Sequence, residues 1–317
     1  MIILTGGAGF IGSNLLRALN RSGRTDILVV DDLTRGEKHR NLNRLDFADF
    51  CDKRELEARL PALCAAGVEA ILHQGACADT LQGDGRYLLE NNYRFSTVLL
   101  EAALACGIPF IYASSAAVYG DGAQGFVEER RCEYPLNPYG YSKFLFDQYV
   151  RRRLAGCPAL VVGLRYFNVF GPQENHKGRM ASVVWQFYRQ LKSGDALRLF
   201  AGSAGFRRDF VSIDDVVRVV LHFLNQGGRH QLSGIYNLGS GRAESFQRIA
   251  EVVAARHPGA AISEVPFPED LRGKYQTHTC ADLTRLRAAG YAEPFASLEA
   301  GVNAYLDVLQ GSDGWYP

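Results

Sequence analysis

The chain has 317 residues, enough for one large domain or two, and 47% of them are hydrophobic against 22% charged. The 35 Lys and Arg nearly balance the 34 Asp and Glu, and a net charge of +1 gives no global pull toward nucleic acid or an anionic membrane. No run of about 18 apolar residues is present to span a bilayer, and MIILTGGAGF lacks the basic and long apolar regions of a signal peptide. The seven cysteines contain no Cys-x-x-Cys pair and no Cys/His cluster of zinc spacing. Free thiols, no metal site and a cytoplasmic location are therefore expected.

In chain order, the first half alternates strand and helix. Ile2 to Leu4 is a short apolar run ending in glycines. Phe10 to Arg21 reads as a helix with Ile11, Leu15, Leu16 and Leu19 on one face. Asp26 to Asp31 is a buried strand with a β-branched centre. A helix over Glu55 to Ala66 precedes a strand over Ala70 to His73. Leu88 to Cys106 reads as one long helix, followed by a strand at Phe110 to Ala113. Asn137 to Leu154 is helical and Ala159 to Arg165 extended. This alternation predicts an α/β fold, a doubly wound parallel sheet of the Rossmann type with helices on both faces.

After Asn168 the loops lengthen and glycines recur. Helices are expected over Ala181–Lys192, Asp214–Leu224, Ser245–His257 and Leu298–Leu309, with a strand at Gly234–Leu238. Residues 1–168 thus read as a dinucleotide-binding domain. Residues 169–317 read as mainly a smaller mixed α/β substrate domain, with the segment around 210–240 returning to the first.

TGGAGFIGSN places glycines at 6, 7, 9 and 12 between a strand and a helix. One glycine allows the tight turn, another lets backbone approach a pyrophosphate, and the last permits close helix–strand packing. Asp31 ends the next strand, about 20 residues on, where a ribose-binding carboxylate belongs. Asp31 favours NAD, because a carboxylate repels a 2′-phosphate. Arg35, Lys38 and Arg40 follow, however, and a basic loop there could neutralise one; a plain solvated loop is the alternative.

YASSAAVYG, residues 112 to 120, follows a strand and offers a hydroxyl at the same end of the sheet. NPYGYSK opens the next helix, with Asn137 as N-cap and Pro138 at the first position. Residues i and i+4 share a helix face, so Tyr139 aligns with Lys143 while Tyr141 points elsewhere, into packing. An ammonium nearby, together with the positive nicotinamide of an oxidised cofactor, would favour the phenolate of a tyrosine whose free pKa is near 10, and a serine would orient the substrate alcohol.

With Gly6, Gly9, Gly12, Ser115, Tyr139 and Lys143 in place, the chain resembles the extended short-chain dehydrogenase/reductases, which include nucleotide-sugar epimerases and dehydratases. RYFNVFGPQENHKGRMAS, RRDFVSIDDV, NLGSGRAESFQ and LRGKYQ narrow the resemblance to the ADP-glycero-manno-heptose 6-epimerases. That resemblance implies inversion at C6 of the heptose in an ADP-sugar, through transient oxidation to the 6-aldehyde, for the heptose of the lipopolysaccharide inner core. It also implies a tightly bound NADP, with NAD as alternative, and a homo-oligomer, a pentamer among the options.

The resemblance assigns residues as well. Ser115, Tyr139 and Lys143 would be catalytic, with Lys177 a second acid/base group or a loop cation. Cofactor contacts would come from Gly6, Gly9, Phe10, Ile11 and Gly12 at the turn, and from Asp31, Asp32, Lys38 and Lys53 at the ribose. The run Gln74, Gly75, Ala76, Cys77, Ala78 would join them, with Asn91, Lys143 and Val169. Asp32 stands where relatives often have asparagine, which weakens the case for a 2′-phosphate. Substrate contacts would involve Asn168, Arg179, Gln186, Phe200, Ala201, Gly202, Ser203, Arg208 and Tyr275. Arg208 could instead pair with Asp209 or Asp214. Rival readings are a UDP-sugar 4-epimerase, a sugar dehydratase and a non-catalytic cofactor-binding protein. The dehydratase would need acids where Ala116 and Ala117 stand.

Overall fold

The computed structural model describes residues 1–34, 36–269 and 276–316. Its strands are β1 (Ile2–Thr5), β2 (Ile27–Asp31), β3 (Asp49–Asp52), β4 (Ala70–His73), β5 (Phe110–Ser115) and β6 (Val161–Tyr166), then β7 (Asn168–Phe170), β8 (Leu197–Phe200), β9 (Arg207–Ser212), β10 (Gly234–Leu238), β11 (Ala243–Ser245) and β12 (Ile262–Val265). The helices are α1 (Phe10–Arg21), α2 (Lys53–Ala65), α3 (Gly85–Leu88), α4 (Phe95–Cys106) and α5 (Pro138–Arg153), followed by α6 (Val183–Lys192), α7 (Ile213–Leu224), α8 (Phe246–Ala255), α9 (Thr284–Ala288) and α10 (Leu298–Ser312).

Seven parallel strands form the main sheet in the order β10-β6-β5-β4-β1-β2-β3. Side chains alternate across a strand, so β1 sends Ile2 and Leu4 into one core and Ile3 into the other. Helices α1 and α7 cover the first face, α2, α4 and α5 the second. The chain leaves β1 toward β2 and β3, then crosses back to β4 on the other side of β1. That reversal opens a crevice at the carboxyl ends of β1 and β4, where ligands bind in such sheets. Strand β10 rejoins the sheet beside β6. A third core gathers α6, α8 and α10 around β8 and β9.

Several elements depart from the sequence reading. Strand β3 is an edge strand, and its DFCD carries only one buried side chain, so no apolar run marks it. The expected helix over Leu88–Cys106 is broken into α3, a π-helical turn over Leu89–Arg94, and α4. The wider turn presents Asn91 and Asn92 inward; Asn92 binds the Cys77 amide and carbonyl at 2.8 and 3.0 Å and the Ser142 hydroxyl at 3.0 Å. Tyr141 is not packed but 48% exposed, with only the Phe144 ring beside it. The short strands β7, β9, β11 and β12 carry no periodic signal of their own, and the alternation of β8 spans only four residues.

The expectation of seven free thiols is also corrected. Cys64 and Cys106 are joined by a disulfide across the ends of α2 and α4, with Cα atoms 6.2 Å apart, leaving five free cysteines. Spacing in the sequence could not reveal it, because the two meet only when the helices pack side by side. Among the described residues no helix is long and apolar enough to cross a membrane, and no cluster of His, Cys, Asp or Glu could hold a metal ion.

One buried ionic cluster ties helix to sheet. Arg165 on β6 has no exposed surface, yet its Nε donates to Asp147 on α5 at 2.9 Å and its guanidinium also pairs with Glu133. Asp147 further accepts from Tyr112 at 2.9 Å and Ser114 at 3.0 Å on β5. Arg151 completes the group by pairing with Glu133. Removing one member of a buried pair leaves charge uncompensated, at a cost of about 3–5 kcal/mol. Arg165→Met is expected to lower unfolding stability by that amount in urea titration, whereas truncating an exposed pair such as Arg248–Glu299 should cost under about 1 kcal/mol.

Candidate active site

The site begins at the glycine turn. Gly6 has φ +67°, and a side chain there would meet the backbone of Gly75 at 2.6 Å. A Cβ on Gly12 would overlap the Gly6 carbonyl oxygen, so α1 can sit this close to β1 only with glycine. The Gly9 amide donates to Gly6 O at 2.9 Å, and Asp31 Oδ2 accepts from the Ala8 amide at 2.8 Å. Thr5 Oγ1 accepts from the Gly75 amide at 3.1 Å, which holds the ends of β1 and β4 together.

Beside this turn lies a corner of balanced charge. Lys38 Nζ stands 2.7 Å from Asp31 Oδ1, and Lys53 Nζ 2.8 Å from Asp32 Oδ2. Lys53 also donates to Asn91 Oδ1 at 3.1 Å. The hydrogen bond from Lys53, then those from Thr34, hold the Asp32 carboxyl well below the usual carboxylate range. Arg40 does not join them; it lies over the Trp315 ring, 4.4 Å from its centre. Arg35 falls outside the described residues.

A cavity of about 840 Å³ opens from the turn toward β7, α6 and β8. Ser115, Tyr139, Lys143 and Lys177 all line it. Asn137 caps α5 by accepting from the Gly140 amide at 2.7 Å, which starts the helix where Tyr139 faces inward. Gly140 then lets the helix press against the Ala117 carbonyl, 2.7 Å from where a Cβ would stand. Ser115 Oγ accepts from the Ala117 amide at 3.1 Å.

In the protein alone, burial dominates the electrostatics of the phenol and the lysine. Burial raises the Tyr139 phenol above its ordinary value, opposed by its hydrogen bond to Ser115. Lys143 donates to the Ala113 carbonyl at 2.8 Å, and burial lowers its amine to about 8 against the attraction of Asp147. The lysine is therefore held by the sheet, lining the same cavity as the phenol. Lys177 sits 5.0 Å from the centre of the Phe10 ring and 3.8 Å from Glu174 Oε2, with 24% of its side chain exposed. Burial lowers its amine, partly opposed by Glu174. Burial likewise raises the Glu174 carboxyl.

Of the other expected cofactor positions, Phe10, Ile11, Gln74, Ala76, Ala78 and Val169 line the cavity. Gly75 and Cys77 lie behind it and shape the loop. Gln74 Nε2 is buried without a partner while its Oε1 accepts from Tyr166 at 2.8 Å, so a donor waits at the wall. A glycine cradle, a helix N-terminus, ribose-corner carboxylates and this free donor together fit a dinucleotide. Of the expected substrate positions, Asn168, Arg179, Gln186, Phe200 and Ser203 line the cavity. Gln186 also donates to Gly178 O at 2.9 Å, bracing the Lys177 segment, and Arg179 reaches Asp79 at 3.5 Å. Ala201 and Gly202 are exposed and stand off the lining. Arg208 is buried, donates to Arg207 O at 3.2 Å and lies over Phe246, outside the lining. Tyr275 falls outside the described residues.

Among the lining residues that escaped the sequence reading are Arg198, Phe246 and Gln276. Arg198 was legible only through β8, whose Leu197 and Leu199 are buried while Arg198 alternates outward. Among the described lining residues, Lys143, Lys177, Arg179 and Arg198 are cationic and none is Asp or Glu. Three of these cations are paired to carboxylates outside the lining: Lys177 to Glu174, Arg179 to Asp79 and Arg198 to Asp195.

A family model described as the NAD dependent epimerase/dehydratase family matches residues 2–239. Among solved structures, the ADP-L-glycero-D-manno-heptose-6-epimerase of Helicobacter pylori is 29% identical, with a TM-score of 0.82 over 98% of this chain and 96% of its own. The UDP-glucose 4-epimerase of Thermus thermophilus, in complex with NAD, is 28% identical, with a TM-score of 0.81 over 98% and 99%. That of Thermotoga maritima, with UDP-glucose, is 26% identical, with a TM-score of 0.80 over 98% of each chain.

The glycine geometry generates a test. Gly12→Ala, whose methyl would overlap Gly6 O, is expected to purify without dinucleotide and to lose turnover by more than about tenfold, the equivalent of 1.4 kcal/mol; absorbance and assay of the purified variant read both.

Proposed function

The chain belongs to the NAD dependent epimerase/dehydratase family, and from that premise we propose that it inverts C6 of the heptose in ADP-glycero-manno-heptose. The observation that carries this reading is Lys177, a half-buried amine lining the same cavity as Tyr139 and Ser115. Inversion at a carbonyl needs proton handling for two presentations of the oxygen, and two separate groups are available here. A nicotinamide dinucleotide, when bound, supplies the hydride acceptor and returns the same hydride, so net redox change is nil.

In this reading Ser115 holds the C6 oxygen and Tyr139 takes its proton as the C–H bond gives up its hydride. The aldehyde turns within the cavity, and Lys177 serves the oxygen in its second presentation. Lys143 holds the cofactor ribose and keeps positive charge near Tyr139. The cationic wall of Arg179 and Arg198 faces the diphosphate. The absence of Asp and Glu from the described lining supports this reading over a dehydratase. A second reading, C4 inversion of a UDP-sugar, rests on the comparable likeness to the UDP-glucose 4-epimerases; there the whole sugar turns and Lys177 has no required part.

For the cofactor the proposal is NADP, held by Lys38 and Lys53 once a 2′-phosphate draws them from Asp31 and Asp32. NAD is the alternative, bound through those carboxylates directly. Assembly as a homo-oligomer belongs to the same reading.

Proton NMR of each ADP-heptose epimer and of UDP-glucose, incubated with the protein, is expected to show interconversion of the heptose pair alone; interconversion of UDP-glucose and UDP-galactose would install the second reading. Lys177→Met is expected to slow the heptose reaction by about 10²–10⁴-fold, the usual weight of a general acid or base; near-normal rates from both epimers would remove Lys177 from the chemistry. The mass of the dinucleotide released on denaturing the purified protein is expected to be that of NADP or NADPH, and that of NAD or NADH would reverse the assignment.

A further inference from the structure

A second, smaller cavity lies outside the site just described. Helix α1, the segment around residues 40–46, Gln173 and Tyr316 enclose about 290 Å³. Arg17, Arg21, Arg40 and Arg44 line it against a single acidic residue, Asp46. None of the four arginines forms an ion pair among the described residues. Two are held in place by aromatic rings: Arg17 lies 3.5 Å above Tyr316 and Arg40 4.4 Å above Trp315. Four like charges gathered beside a single lining carboxylate repel one another. Burial first, and Arg21 as well, hold the Arg17 guanidinium below its ordinary value, against the attraction of Tyr316 and Asp214.

The inner wall adds a different request. Asn41 is 1% exposed and Gln173 3%, and both line the cavity. Asn41 Nδ2 donates to Ala8 O at 2.9 Å and to Gln173 O at 3.2 Å, and Gln173 Nε2 donates to Asn41 O at 3.3 Å. Both amide nitrogens are engaged, yet Asn41 Oδ1 and Gln173 Oε1 are buried with no partner. A buried unpaired acceptor costs about 1–3 kcal/mol and asks for a donor. An anion alone cannot provide one; a hydroxyl can.

We propose that this cavity is a second ligand site, for a phosphomonoester that carries free hydroxyl groups, a sugar phosphate or a nucleoside monophosphate. The arginine forks take the phosphate oxygens. The sugar hydroxyls donate to the two orphaned amide oxygens. The cavity is larger than a lone phosphate fills and near the lower end of ordinary small-ligand pockets. The proposal does not depend on which nucleotide sugar the main cavity turns over. Asn41 also links Ala8 of the glycine turn to Gln173, so an occupant would touch the wall behind the cofactor site.

Trp315 reports on the site, because Arg40 rests on its ring and Trp185 is the other tryptophan of the chain. In a Trp185→Phe background, glucose 6-phosphate, AMP and inorganic phosphate are titrated against Trp315 fluorescence, with glucose and adenosine as uncharged controls. A saturable change with a phosphomonoester below about 10 mM is expected, at least tenfold weaker in Arg21→Gln/Arg44→Gln and absent with the uncharged controls. Which of the two esters binds more tightly identifies the source. No saturable change, or an unaltered titration in the double variant, overturns the site. Inorganic phosphate binding as tightly as both esters overturns the role given to Asn41 and Gln173.

Discussion

The site depends on one buried ionic arrangement, the clamp of Arg165, Asp147 and Glu133. Tyr139 and Lys143 sit on α5, Ser115 at the end of β5, and nothing in the chain's covalent order makes them meet. Asp147, one turn beyond Lys143 on the same helix, accepts from Ser114 and Tyr112 on β5 and from Arg165 on β6. Those bonds set both the height and the rotation of α5 over the sheet. Burying charge is costly unless every partner is present, so the arrangement tolerates little slippage. The Tyr119 ring under Arg165, with its hydroxyl bonded to Asn237 on β10, extends the same lattice to the far strand.

Around that clamp the chain divides two tasks by charge. The corner beside the glycine turn pairs Lys38 with Asp31 and Lys53 with Asp32, so these four charges balance. The main cavity's described lining holds four cations and no carboxylate, with Glu174, Asp79 and Asp195 paired to three of those cations from outside it. Burial tunes the groups that remain: it lowers the amines of Lys143 and Lys177 toward neutrality and raises the phenol of Tyr139.

Legibility varied with how local each signal was. The turn at Gly6 to Gly12, the cap at Asn137 and the i, i+4 pairing of Tyr139 with Lys143 are short-range geometry, and all could be read directly. The π-helical turn at Leu89–Arg94 could not, because its residues read as ordinary helix and only the pull of Cys77 and Ser142 on Asn92 favours the extra residue. Tyr141 shows the limit of helical spacing: it gave the direction correctly, but whether that direction meets core or solvent depends on what packs there. Arg208 was expected at the substrate and is buried away from the lining, while Arg198 took a place on the wall through the alternation of a four-residue strand too short to announce itself.

By itself the sequence determined the parallel α/β layering, the dinucleotide turn and the serine, tyrosine and lysine set, since each rests on periodicity or on a spacing within about one helical turn or one βα unit. Tertiary structure alone decided that Lys177 shares a cavity with Tyr139, that Cys64 meets Cys106, that four arginines converge on one small cavity, and that the main cavity's described wall excludes carboxylates. Those are facts about residues far apart in the chain. Their distances are set by how helices stack on a twisted sheet, and no local pattern carries that information.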